Sequence, residues 1–282
     1  MFVILALASA AFYGAADFLG GIASKRAEAV VVTFVAQAAG LVLLGLLLPA
    51  LPSSSPVPSD YLWGAVSGVA GSAGVALLYR ALAIGTMSIV APITAVCAAA
   101  VPVLVALALG ERPGPLAAVG IVLTAIAITL LSRGHSNAPI HRSRWKTSVG
   151  MALISGVAVG LFFLCLAQTS DEAGLWPLIV GRSVSVPLFG VMAVTRHRAT
   201  SRRMNVRVAG TVIGCGTVDM LANALYLIAT RYGPLSLVAT LASLYPASTV
   251  VLARLTLGER LTRSQALGVA CALVAVVLIV SP

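Results

Sequence analysis

The chain has 282 residues; 60% are hydrophobic, only 9% are charged, and the formal net charge is +10. Mean hydropathy is +1.05. Soluble domains carry about 25% charged residues, so this composition excludes an ordinary soluble domain. The apolar runs are continuous, which argues against a β-barrel, whose strands alternate apolar and polar residues.

A membrane-spanning helix needs about 20 mostly apolar residues. On that basis the sequence predicts ten spans: residues 2–23, 30–48, 61–82, 88–109, 116–131, 147–168, 175–195, 208–229, 235–257 and 264–280. The first has no basic residue before it, and Lys25 and Arg26 follow it. It therefore reads as a retained helix rather than a cleavable signal peptide. It contains Tyr13 and, one turn later, Asp17. Asp17 either hydrogen-bonds near the membrane interface or lines a cavity with Tyr13 and binds an amine, aided by cation–π attraction. Thr33, Gln37 and Gly40 form a stripe on span 2 that completes such a wall.

Residues 49–60, which include LPSSSPVPSD, read as an exposed turn region between spans 2 and 3. Gly64, Gly68, Gly71 and Ser72 then form a small-residue stripe on span 3, suited to close helix packing. Pro92 and Pro102 fall in span 4, which ends in Leu109-Gly110-Glu111-Arg112. Glu111 and Arg112 read as helix caps and interfacial charges. After span 5 comes a basic linker, residues 133–146.

Trp176 opens span 7, either as a cavity residue or as an interfacial anchor. Charge inside a span costs about 2.5–3.5 kcal/mol on insertion scales and usually faces protein or water. Arg182 in span 7 and Asp219 in span 8 are such charges, and are placed to pair. Helical spacing puts Gly216, Asp219, Asn223 and Tyr226 on one face. The pair is either a packing ion pair or a substrate or proton site. Pro187 lies in span 7. Span 9 contributes Tyr245, a cavity candidate, Pro246, and Arg254, which snorkels. Prolines at these places either kink the helix or break it beside a cavity. The four cysteines, Cys97, Cys165, Cys215 and Cys271, lie in spans without a C-x-x-C pair. They predict neither a disulfide nor a metal site.

The chain repeats itself. Residues 109–112, LGER, recur as residues 257–260, an offset of 148 (258 − 110). Gly85, Ser88, Val90 and Ala91 recur as Gly233, Ser236, Val238 and Ala239 at the same offset. The first repeat covers residues 1–132 and the second 147–282. Each holds five spans, and an odd number turns the second copy upside down. The fold class expected is an all-α polytopic membrane protein of ten transmembrane helices in two inverted five-helix repeats. Inverted halves suit secondary transport, because exchanging their conformations moves a cavity from one face to the other.

Fourteen Lys and Arg residues fall in or beside odd-numbered connections, counting Arg80 near the end of span 3, and two, Arg112 and Arg231, in even-numbered ones. The positive-inside rule then puts the odd connections in the cytoplasm and both termini outside. It also explains the net charge without nucleic acid, since the basic residues sit in short connectors.

The pattern Tyr79, Ala81-Leu82, Gly85, Ser88, Ala91-Pro92, Pro102, Leu109-Gly110-Glu111-Arg112 and Gly120 resembles an EamA domain. It returns as Tyr226, Ser236, Ala239, Pro246, Leu257-Gly258-Glu259-Arg260 and Gly268. Two such domains resemble the drug/metabolite transporter superfamily. That resemblance implies a ten-helix carrier with a cavity between the repeats, moving amino acids, amines, nucleobases, sugars or toxic compounds. It also implies cytoplasmic termini, opposite to the charge count.

The expected function is non-ATP export of amino acid-, amine- or drug-like compounds by alternating access. The expected setting is the inner (plasma) membrane, as monomer or homodimer, with the small-molecule substrate and the bilayer as partners and proton coupling open. No cofactor is expected. Enzyme chemistry is not expected either: there is no H-E-x-x-H, and no Gly-rich phosphate loop followed by Lys. A channel or a non-transporting scaffold is the alternative; a channel needs a symmetric polar ring, whereas Asp219 maps onto Gly71. The candidate substrate residues are Tyr13, Asp17, Gln37, Trp176, Arg182, Asp219, Asn223, Tyr226 and Tyr245.

Overall fold

The computed structural model describes residues 1–50, 54–85, 87–131, 142–197, 205–257 and 262–280. The described residues form helices and no strand. In chain order the helices are α1 (Phe2–Ser24), α2 (Ala29–Leu47), α3 (Pro58–Ile84), α4 (Met87–Ala108), α5 (Pro115–Leu131), α6 (Arg142–Ala167), α7 (Trp176–His197), α8 (Val206–Thr230), α9 (Leu235–Ala242), α10 (Tyr245–Leu257) and α11 (Arg263–Val280). Six of them, α1, α2, α3, α6, α7 and α8, contain runs long and apolar enough to cross a bilayer, and shorter apolar helices fill the other positions. Ile4, Leu46, Leu104, Val191 and Leu273 are all exposed, on helices far apart in sequence. In water such a surface would be costly; in a bilayer it is the lipid-facing surface. The protein is an all-helical, multi-pass membrane protein.

Three expected boundaries shift. Residues 58–60, read from sequence as part of an exposed turn, already belong to α3, and Asp60 is buried there. Residues 142–146, read from sequence as linker, already belong to α6. The expected ninth span, 235–257, is two helices, α9 and α10, separated by a turn at Ser243 and Leu244. Pro246 lies second in α10, where its missing N–H and fixed φ suit a first turn rather than a helix interior.

The turns explain the motif residues. Gly110 has φ +100°, a left-handed conformation that glycine adopts without cost. It ends α4, with Glu111 N–H donating back to Ala106 O at 2.9 Å. The reversal aims the Glu111 carboxylate at the other repeat. There it accepts from Leu235 N–H at 2.8 Å and Ser236 N–H at 3.1 Å, capping α9 across 124 and 125 residues. The capping role expected from sequence is thus a tie between the two halves. Glu259 and Arg260 lie outside the described residues.

The stripe on α3 is a packing surface. A Cβ on Gly68 would overlap the Gly181 backbone of α7, and one on Gly64 would lie 2.8 Å from Pro177 O. Small residues let α3 and α7 approach this closely.

Connector contacts establish the inversion. Ser55 N–H donates to Glu172 O at 3.0 Å, joining the second connection to the sixth. Glu111 joins the fourth to the eighth, and Arg231 hydrogen-bonds Thr169 O and Thr169 Oγ1, joining the eighth to the sixth. These four connections, the even-loop face, meet on one side. Yet the sixth and eighth are the repeat equivalents of the first and third, which belong to the other side. The second copy is therefore upside down relative to the first.

Helix packing follows the same two-fold. α1 packs on α8 as α6 packs on α3, while α2 meets α7 and α5 meets α11. At atomic detail, Ser9 Oγ donates to Ala222 O at 2.8 Å and Ser155 Oγ to Gly74 O at 2.7 Å. The acceptors are 148 residues apart (222 − 74).

Candidate functional site

The two repeats enclose a cavity at their interface. Its volume is about 50 Å³, room for a few water molecules but not for a metabolite. Tyr13 and Asp17 reach it from α1, Gln37 from α2, Arg182 from α7, Asp219 and Asn223 from α8, and Tyr245 from the start of α10. Seven of the nine sequence-derived candidates therefore converge.

Their geometry is specific. Arg182 Nη2 donates to Asp219 Oδ2 at 2.5 Å, with both side chains largely buried. Asn223 Nδ2 donates to the same carboxylate oxygen at 3.0 Å and to Asp219 O at 2.6 Å. Tyr13 OH donates to Asn223 Oδ1 at 2.9 Å. The result is a continuous chain, Tyr13–Asn223–Asp219–Arg182, crossing α1, α8 and α7. Asp17 is different: it lines the same cavity but has no hydrogen bond or ion pair among the described interactions. Two carboxylates thus face one guanidinium, and one carboxylate is unmatched.

The apolar part is aromatic. Tyr13 packs edge-on to Phe163 at 5.6 Å and to Tyr245 at 6.5 Å, and Phe163 packs on Tyr226 at 4.4 Å. The break between α9 and α10 is what brings Tyr245 to the cavity. Gln37 accepts from Ser185 Oγ at 3.4 Å. These two residues are 148 apart (185 − 37), so they meet where the pseudo-two-fold axis passes between α2 and α7.

Two candidates lie elsewhere. Tyr226 is fully buried with its hydroxyl donating to Phe163 O at 3.3 Å; it backs the cavity instead of lining it. Trp176 lines a second, larger space of about 490 Å³ on the even-loop face, with Asp171, Leu227, Arg231 and Tyr232. The two spaces share no lining residue. Of the span 2 stripe, Thr33 is buried outside the cavity and Gly40 packs against Met220. Gly216 packs against the Ala36 backbone. The Arg254 side chain lies outside the described residues.

The cavity also uses Gly71 of the span 3 stripe, read from sequence as a packing residue, and Val75, Thr94, Phe162 and Phe163, not singled out from sequence. Apolar residues carry no distinctive signal, but the repeat holds one. Gly71 and Val75 are the equivalents of Asp219 and Asn223 at the 148-residue offset, so all four occupy related positions.

Among the described residues no group of three or more His, Cys, Asp or Glu stands close enough to hold a metal ion. The four cysteines are free thiols.

An inverted pair of five-helix repeats around a polar cavity is a transporter architecture. The model of the EamA-like transporter family matches residues 1–133 and again 141–281. The chain belongs to the EamA-like transporter family. The EamA match covers both repeats and nearly the whole length, so this is a membrane transporter of small molecules. A solved crystal structure of another protein superposes with a TM-score of 0.75 at 14% identity, covering 99% of this EamA chain and 96% of its own. At that identity the likeness shows a shared fold. No curated protein matches the sequence.

Proposed function

We propose that the protein is a secondary transporter that works by alternating access about the central cavity and exports amine-bearing compounds, amino acid-like or drug-like. The observation that carries this reading is Asp17, a carboxylate without a partner among the described residues, inside an aromatic-walled cavity whose other acid is already matched. Charge in a low-dielectric site demands a counter-charge, and an ammonium group supplies it while the Tyr13 and Tyr245 rings add cation–π attraction. A proton on Asp17 serves the same end in the empty cavity, which makes proton exchange the coupling mode. The tight cavity supports an occluded state that must open to load. Asp219, held by Arg182 and Asn223, positions the wall. The charge-derived orientation, with odd connections cytoplasmic and termini outside, belongs to the same proposal.

Thermal-shift measurement on the purified protein tests the substrate class, because a ligand that binds only the folded state raises its melting temperature. Amino acids, quaternary amines, nucleobases and cationic drugs are compared on the parent protein and on Asp17→Asn. Shifts confined to amine-bearing compounds and lost in Asp17→Asn are expected. Shifts produced by neutral or anionic compounds and unchanged in Asp17→Asn overturn the amine reading.

A further inference from the structure

The repeats agree in backbone but differ at one pair of helix starts. α3 begins with Val57 as N-cap and Pro58 as first residue, which places Asp60 third. α8 begins with Asn205 as N-cap, which places Val208 third. Both positions correspond at the 148-residue offset (205 − 57 and 208 − 60).

Asp60 is almost fully buried, at 1% exposure. It accepts from Val57 N–H at 2.8 Å, which caps its own helix. It also accepts from Ser170 N–H and Ser170 Oγ, each at 2.7 Å, in the connection after α6. One carboxylate therefore fastens the two repeats on the even-loop face. Arg231 joins the same knot through Thr169 and Asp171. Burial lowers the Arg231 pKa from its ordinary value, while the Asp171 and Asp60 carboxylates pull it back up; both acids lie near the guanidinium.

On the opposite face the same place lacks the carboxylate. Val208 stands where Asp60 stands, and no Asp or Glu occurs between residues 204 and 212. The Ser9 and Ser155 hydrogen bonds set the α1–α6 equivalence at 146 (155 − 9), so Ser170 corresponds to Ser24 (170 − 146). Ser24 is present and buried, and its hydroxyl has no partner among the described residues. The serine is retained on both faces; the acid is on one.

Among the described residues, α8 runs from one space to the other. Leu227 lines the space of about 490 Å³ on the even-loop face, and Asn223, one turn earlier on α8, lines the central cavity. Between them Tyr226 packs on Phe163 and hydrogen-bonds its carbonyl.

We propose that Asp60 is the latch of a gate on the even-loop face, with Phe163 and Tyr226 as its plug, and that Val208 leaves the opposite face without the matching latch. The transporter then rests closed on the even-loop face, and its two half-cycles differ in energy although its repeats match in fold. The inference rests on the alternating-access reading.

The test is sided labelling of full-length protein in liposomes. Val159 lines the central cavity, and in Val159→Cys modification by a membrane-impermeant maleimide is read at residue 159 by mass spectrometry. In the parent, labelling is expected from the odd-loop side and slow from the even-loop side. Asp60→Asn and, separately, the milder Ser170→Ala are expected to raise even-side labelling about tenfold, the loss of one to two charge-assisted hydrogen bonds. Val208→Asp, which gives Ser24 a carboxylate partner, is expected to lower odd-side labelling. If the parent is labelled from one side only and no substitution changes it, Asp60 is a static staple and the gate is overturned. If the parent is labelled equally and rapidly from both sides, the protein does not rest closed on the even-loop face and the latch is overturned; counter-exchange of a labelled amine then separates a symmetric carrier from a pore.

Discussion

Arg182 and Asp219 approach to 2.5 Å between α7 and α8, and Asn223 holds the same carboxylate oxygen at 3.0 Å. Breaking a buried pair by removing one partner costs about 3–5 kcal/mol, whereas replacing both with apolar residues of similar volume is often neutral or stabilising. Asp219→Leu alone is therefore expected to lower the melting temperature sharply, and the double variant Arg182→Met, Asp219→Leu to recover most of it. A double variant as unstable as the single one would show that the pair does more than neutralise itself.

Among the described residues Asp17 has no partner to lose. Asp17→Asn is expected to keep the stability of the parent to within about 1 kcal/mol, the ordinary range for a substitution that breaks no contact. Amine binding, followed by thermal shift or titration calorimetry, is expected to fall at least tenfold. A large loss of stability without loss of binding would place Asp17 in the framework.

Glu111 caps α9 from the opposite repeat. Glu111→Ala leaves two N–H groups at the start of a short helix without an acceptor, and cap loss costs about 0.5–2 kcal/mol. Glu111→Gln retains an acceptor and is expected to fall between the parent and Glu111→Ala in melting temperature. Identical melting of all three would remove the tie from the stability of the fold.

Gly68 packs against the backbone of Gly181. A side chain there must push α3 from α7, and overpacking costs about 1–3 kcal/mol, occasionally more. Gly68→Val is expected to reduce folded yield and melting temperature more than Gly45→Val, because nothing lies within 4 Å of a Cβ at Gly45. Equal effects would show that helix propensity, not contact, governs the site.

Much of the candidate site's convergence was legible because charge in a span is rare. Asp17, Arg182 and Asp219 stand out against apolar neighbours, and helical spacing added Asn223. The duplicated LGER gave the two-repeat architecture and, through the odd span count, the inversion. What spacing does not give is direction. Tyr226 and Asn223 share a helical face, yet Tyr226 meets Phe163 of α6 rather than the cavity. Trp176 sits at a span end, where a few residues decide between cavity and surface. The break in the ninth span was signalled by Pro246, but a proline in a span permits a kink as well as a stop. The Asp60 tie was hidden because nothing in the sequence says that Asp60 will meet Ser170, 110 residues away in the other repeat.

Saturable exchange is the most direct measurement. Purified protein in liposomes is loaded with an unlabelled amine identified by thermal shift, and uptake of the labelled amine is followed with and without the internal pool. A carrier that alternates about one cavity shows uptake that saturates, accelerates with the internal pool and is lost in Asp17→Asn. Uptake that rises linearly with concentration and ignores the internal pool would contradict alternating access and point to a channel.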